Sequence, residues 1–173
     1  MDDYSKSPFR FFDHLPTGEG ERCYKRGYDT ERRIIKWVGG MGGTVKHLAS
    51  DGVYNNGYDV SIITAAGRPL KWEIKMNAGV DRNGTSYETF FCETEHAGGD
   101  RPGWMKSGTG CSHFVILNES TGELHFFDRN ELKAYVMGSA GRRARHNGCE
   151  GRLVGWTDVE AGYRFTFKLG EEN

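Results

Sequence analysis

The strongest constraint on the fold is a pair of alternating segments separated by a short polar break. "GYDVSIITAAG" (57–67) alternates apolar and polar positions, and "LKWEIKMN" (70–77) repeats the pattern after Arg68 and Pro69. Side chains on a strand point to opposite faces with a period of two, so each segment reads as a half-buried strand. The Gly-Arg-Pro between them reads as a turn, which makes the strands antiparallel neighbours. In the second segment Leu70, Trp72, Ile74 and Met76 would face a core, leaving Lys71, Glu73, Lys75 and Asn77 on the other side.

The rest of the chain supplies the remaining elements. Residues 1–26 read as an N-terminal arm with few periodic apolar positions. A helix is expected from Asp29 or Thr30, either of which can cap it. It would bury Ile34, Ile35, Trp37 and Val38 and stop at "GGMGG" (39–43), where so many glycines cannot stay helical. "TVKHLAS" (44–50) reads as a short helix or a turn. "SYETFFCETEH" (86–96) reads as a third strand, followed by a short helical piece around "WMKSG" (104–108). "SHFVILN" (112–118) and "ELHFFD" (123–128) form a hairpin through "ESTG", and Asp128 with Glu131 gives a capping box for a helix "RNELKAYVM". "GSAGRRARHNGCEG" (138–151) reads as a mobile basic loop, and "RLVGWTDV" and "YRFTFKL" as late strands. The expected architecture is α/β: a single domain over 27–173, with a central mixed β-sheet flanked by helices.

Charge is nearly balanced, with 23 Lys and Arg against 24 Asp and Glu. The chain therefore has no global attraction to nucleic acid or acidic membranes. A nuclease stays open, because metal-binding carboxylates offset basic contacts. The four cysteines (Cys23, Cys92, Cys111, Cys149) form no C-x-x-C pair, and no apolar run approaches 18 residues. Without a secretory signal at the N-terminus, the expectation is a reduced, cytoplasmic protein that does not enter membranes.

Phosphodiester hydrolysis with metal help needs anionic oxygens to hold a hard cation and a group to position the attacking water. Asp59 lies in the first strand and Glu73 in the second, so a hairpin brings the two carboxylates toward one site. Lys75 points to the same side as Glu73, where a cation stabilises charge building on phosphate. Glu31, on the first helix, closes the set. This order of helix Glu, strand Asp and strand Glu-x-Lys resembles the PD-(D/E)xK nuclease superfamily, which includes restriction endonucleases and archaeal Holliday junction resolvases. The resemblance runs from about residue 28 to 95, within a core of 28–127, and Tyr58 stands where the signature has proline. It implies a restriction-endonuclease-like core in which Asp59, Glu73 and the Ile74 carbonyl hold Mg²⁺ (or Mn²⁺). Lys75 serves the water nucleophile and Glu31 assists. It further implies cleavage of DNA to a 5′-phosphate and a 3′-hydroxyl. Enzymes of this size and fold are often homodimers, since a duplex has two strands to cut. The alternative is an inactive nuclease-fold module that binds nucleic acid or a host protein.

Glu-x-Lys by itself arises by chance on the order of once in a chain this long. "ELK" at 131–133 is such a copy, better explained by the capping box. The copy at 73–75 stands out through its company, Asp59 and Glu31. Glu93, on the third strand, is the candidate accessory residue near the metal. "RPGWMK" (101–106) is similar to a segment in small phage and bacterial members of the superfamily; there Trp104 reads as a core anchor and Lys106 as a phosphate contact. Arg142, Arg143 and Arg145 form the strongest basic cluster and are the candidate contacts to a phosphate backbone. Cys111, His113, His146 and Cys149 offer a zinc donor set, but neither pair has finger spacing. Buried cysteines acting as small hydrophobes are the simpler reading.

Overall fold

The alternation at 57–77 becomes strand pairing in a computed structural model of the chain. The structure describes residues 19–47, 57–64, 66–77, 88–96, 99, 102–107, 110–138, 141–146 and 148–168. The elements run α1 (Glu19–Gly40), β1 (Thr44–His47), β2 (Val60–Ile63), β3 (Pro69–Asn77), β4 (Thr89–Glu95), α2 (Trp104–Ser107) and β5 (His113–Asn118). They continue with β6 (Glu123–Asp128), α3 (Arg129–Met137), β7 (Arg142–His146), β8 (Cys149–Gly155), a 3-10 turn (Ala161–Tyr163) and β9 (Arg164–Lys168).

A six-stranded sheet has the order β1-β2-β3-β5-β6-β9, and a three-stranded sheet has the order β4-β8-β7. Only β3 and β5 run parallel in the larger sheet, which makes it mixed, as expected. The expected third strand does form, but β4 does not join β3. It pairs with β8, because its inward residues Phe90 and Cys92 are needed in the layer between the two sheets.

Period two sorts the large sheet into two faces. Val60, Ile62, Trp72, Ile74, Val115, Leu117, Leu124 and Phe126 pack under Ile34 and Val38 of α1. The opposite face, with Phe114, Ile116 and Phe127, packs against Phe90, Cys92 and Val154 of the small sheet and Leu132 and Val136 of α3. Asp128 caps α3 by accepting from the N–H groups of Asn130 and Glu131. Each methylene buried in these layers contributes about 0.8 kcal/mol.

Three expectations need correction. The helix starts at Glu19, so residues 19–26 are no arm; residues 1–18 lie outside the described set. Good helix formers such as Glu, Lys and Arg continue the turn beyond its packed part, and Arg26 is held by an ion pair to Glu119. "TVKH" is an edge strand paired with β2, where β-branched Thr44 and Val45 suit a pleated surface. The basic segment is a hairpin of β7 and β8, with His146 opposite Cys149 across a two-residue connection. The sequence carried its signal: Asn-Gly is the favoured pair for such a turn, and Gly148 has φ +81°. No helix among the described residues is long and apolar enough to cross a membrane.

Candidate active site

β2 stops at Val60 while β3 continues, and this difference in length builds the site. The Asp59 N–H donates to the Trp72 carbonyl at 2.8 Å although Val60 is the register partner of Trp72, so the ladder breaks its register at Asp59. Asp59 is thereby left free of the ladder, close enough to Glu73 and Lys75 for their charges to act on its carboxyl. The Asp59 Oδ2 then accepts from the Ile74 N–H at 2.7 Å, taking the place of the missing β2 peptide. N–H and C=O groups alternate sides along a strand, so the Ile74 carbonyl lies on this same edge.

Glu73 and Lys75 face away from α1, toward the layer between the sheets. Their partners across β5 are Phe114 and Ile116, so the two polar side chains sit beside apolar ones. Lys75 Nζ pairs with Glu73 Oε1 at 2.6 Å, and the Glu73 side chain is only 12% exposed. Lys75 Nζ also lies 6.0 Å from the centre of the Trp104 ring, which packs edge-on against Phe114. Trp104 is thus the expected core anchor, and it closes one side of the lysine.

Burial pushes the Asp59 carboxyl up to about 7; the charges of Glu73 and Glu31 add to this, while Lys75 and the Ile74 N–H oppose it. Lys75 loses solvation by burial, yet Glu73, Asp59 and Glu31 more than compensate and hold its ammonium well above the usual lysine range. Burial and the Glu73 charge push the neighbouring Cys111 thiol up to about 11. Glu31, Asp59, Glu73 and Lys75 therefore share one electrostatic environment. Glu31 acts at longer range: among the described residues, the group of three His, Cys, Asp or Glu donors within 4.8 Å of one another is Glu93, His96 and Cys149.

That group corrects the expectation for Glu93. Phe90 and Cys92 turn into the core, so the intervening positions of β4 turn outward, and Glu93 is not gathered with Asp59 and Glu73. The suggested zinc quartet is not gathered either. Cys149 lies against His96, whereas Cys111 lies within the field of Glu73 and Lys75. Cys92, Cys111 and Cys149 are all buried, as small hydrophobes are. His96 was missed by sequence reasoning.

Arg142, Arg143 and Arg145 are exposed on β7. Arg143 stands opposite Arg152 and Arg145 opposite Glu150, while Arg142 belongs to the other face. Arg143, Arg152 and Lys106 line one concavity together with Glu95 and Glu150. Lys106 is paired with Glu95 at 3.0 Å.

No family model matches the chain, and no curated protein does. Among solved structures the chain is similar to a bacterial homing endonuclease, I-Ssp6803I, with a TM-score of 0.51 at 17% identity. The match covers 85% of this chain and 89% of that one. The fold is the restriction-endonuclease-like fold of that enzyme.

Proposed function

We propose that this nuclease-fold chain is a Mg²⁺-dependent DNA endonuclease that hydrolyses phosphodiester bonds to leave a 5′-phosphate and a 3′-hydroxyl. The observation that carries the reading is the meeting of Asp59, Glu73 and Lys75 where β2 ends. The donor set fits a hard cation. Two carboxylates and the Ile74 carbonyl offer oxygen only, which suits Mg²⁺ or Mn²⁺. An Asp59 carboxyl pushed up to about 7 by burial is a charge that a cation would compensate. When bound there, the metal polarises a phosphoryl oxygen and lowers the pKa of water.

The side chains supply the rest. Without metal, the charges of Glu73, Asp59 and Glu31 favour the ammonium form of Lys75. It donates hydrogen bonds to the attacking oxygen and offsets charge building on the phosphate. Glu73 holds Lys75 in place through the 2.6 Å pair, and Trp104 restricts it from the side. The Glu31 charge adds to those that favour the ammonium form of Lys75. Arg143, Arg145 and Lys106 contact phosphates of the duplex, with Arg142 reaching from the opposite face of β7; such contacts position DNA without reading its sequence. A homodimer supplies the two centres needed to cut both strands.

Plasmid nicking tests the reading. Wild type is expected to nick supercoiled DNA only with Mg²⁺ or Mn²⁺, and Glu73→Ala or Lys75→Ala to lower the rate on the order of 10²–10³-fold. No metal-dependent nicking by wild type, or equal rates for both variants, refutes it. DNA binding that survives without cleavage would identify a binding module instead.

A further inference from the structure

The outer face of the small sheet carries a second group of metal-ligating side chains, chemically unlike the first. Glu93 and His96 are three residues apart, a spacing that puts strand residues on opposite faces. They share a face because the register shifts between Glu93 and Glu95, a bulge that re-aims the chain. On the neighbouring strand Cys149 opens β8, fixed there by the tight turn at Gly148. These two irregularities place Glu93 Oε1 at 3.3 Å and Cys149 Sγ at 3.6 Å from His96 Nδ1.

We propose that Glu93, His96 and Cys149 bind one zinc ion. The donor set is one carboxylate, one imidazole and one thiol, the three types that Zn²⁺ accepts together. The spacing also fits. Bonds of about 2.0–2.1 Å to nitrogen, 2.0–2.2 Å to oxygen and 2.3 Å to sulfur at tetrahedral angles give edges of roughly 3.4 Å (N to O) and 3.6 Å (N to S). The measured separations are 3.3 and 3.6 Å, and all three donors lie within 4.8 Å of one another. The Cys149 side is buried and the Glu93 and His96 sides are half-exposed, so an ion enters from solvent and water takes its fourth position.

The soft sulfur excludes Mg²⁺ as the resident ion, so this site is separate from the all-oxygen site at Asp59 and Glu73. Its ligands come from β4 and the start of β8, so the ion would tie the end of β4 to the β7–β8 hairpin. Binding displaces the thiol proton and replaces the His96 contacts to Glu93 and Cys149 with metal bonds. The inference does not depend on nuclease activity.

The experiment is a calorimetric titration of the full chain, stripped of metals, with Zn²⁺ alone, backed by Co²⁺ absorption spectroscopy. Wild type is expected to bind one Zn²⁺ per chain in the presence of excess Mg²⁺ and to give a thiolate-to-cobalt charge-transfer band. His96→Gln is expected to weaken binding more than roughly 100-fold, the upper end for losing an outer partner of a metal ligand. Cys149→Ser should abolish the cobalt band, and Cys111→Ser should leave both readouts unchanged. Circular dichroism confirms that each variant is folded, and His96→Gln decides the matter if Cys149→Ser is not. Absence of saturable binding by wild type overturns the proposal. So does binding that a folded His96→Gln retains, or that Cys111→Ser removes.

Discussion

The two sheets differ in what they offer a ligand and in how the sequence encodes it. The large sheet sets two carboxylates and a lysine at the point where one strand ends before its neighbour. Its donors are oxygen, and its elements were visible as period-two alternation. The small sheet sets arginines on an exposed edge and a carboxylate, an imidazole and a thiol on its outer face. Its strands β4 and β8 come from distant parts of the chain, and their positions depend on a bulge and a tight turn. One sheet thus carries chemistry suited to a hard cation and a phosphodiester. The other carries exposed arginines, proposed to contact phosphates, and the three donors proposed to hold a softer metal.

The largest test asks whether the two sheets are one cooperative unit. Phe90 of β4 is fully buried and stacks with Phe127 of the large sheet at 5.1 Å and with Trp156 at 4.8 Å. Phe90→Ala is expected to cost about 3–5 kcal/mol in urea unfolding, with one transition by every probe. Two separate transitions would split the comparison into two independent bodies.

The next test separates the sheets by pH. Asp59 has a folded pKa of about 7 against an ordinary 3.8, raised by burial. Between those values the unfolded chain has released a proton that the folded chain keeps, so stability falls as pH rises. In chelator, wild type is expected to lose on the order of 2–4 kcal/mol between pH 4 and pH 8, and Asp59→Asn to lose much less. Lys75 adds no slope in this window, because its raised pKa stabilises the fold fully below 10.5. Equal slopes for the two proteins would show that the site is solvated.

The smallest effect belongs to the edge of the small sheet. Arg143→Ala and Arg145→Ala are each expected to weaken DNA binding a few-fold regardless of sequence, and to reduce the salt slope by about 1. An unchanged slope removes β7 from the interface.

Much of the large sheet was legible because one apolar face and one polar face repeat along each strand. The pairing of β2 with β3, the β5–β6 hairpin, the glycine stop after α1 and the Asp128 cap all rest on local rules. The candidate site was legible for the same reason: Asp59, Glu73 and Lys75 lie within one hairpin. The small sheet was not. "RRARH" has no apolar alternation, because β7 is exposed along its length and takes its shape from β8. The inward turn of Phe90 and Cys92 depends on a partner strand far along the chain, so Glu93 could not be placed from its neighbours. His96 stayed hidden because only the bulge returns it to the face of Glu93.

The distance between paired strands also orders how the molecule is made. Val60 meets Trp72 across a short loop, whereas Phe90 meets Val154 only after most of the chain has been synthesised. Closing that longer loop costs about 1.5 kcal/mol more in chain entropy. A ribosome therefore releases the Asp59–Glu73 hairpin well before β8 exists to complete the layer beside it. Until then the charged edge stands in water, so a nascent chain holds the parts of its candidate centre without the enclosure that perturbs them.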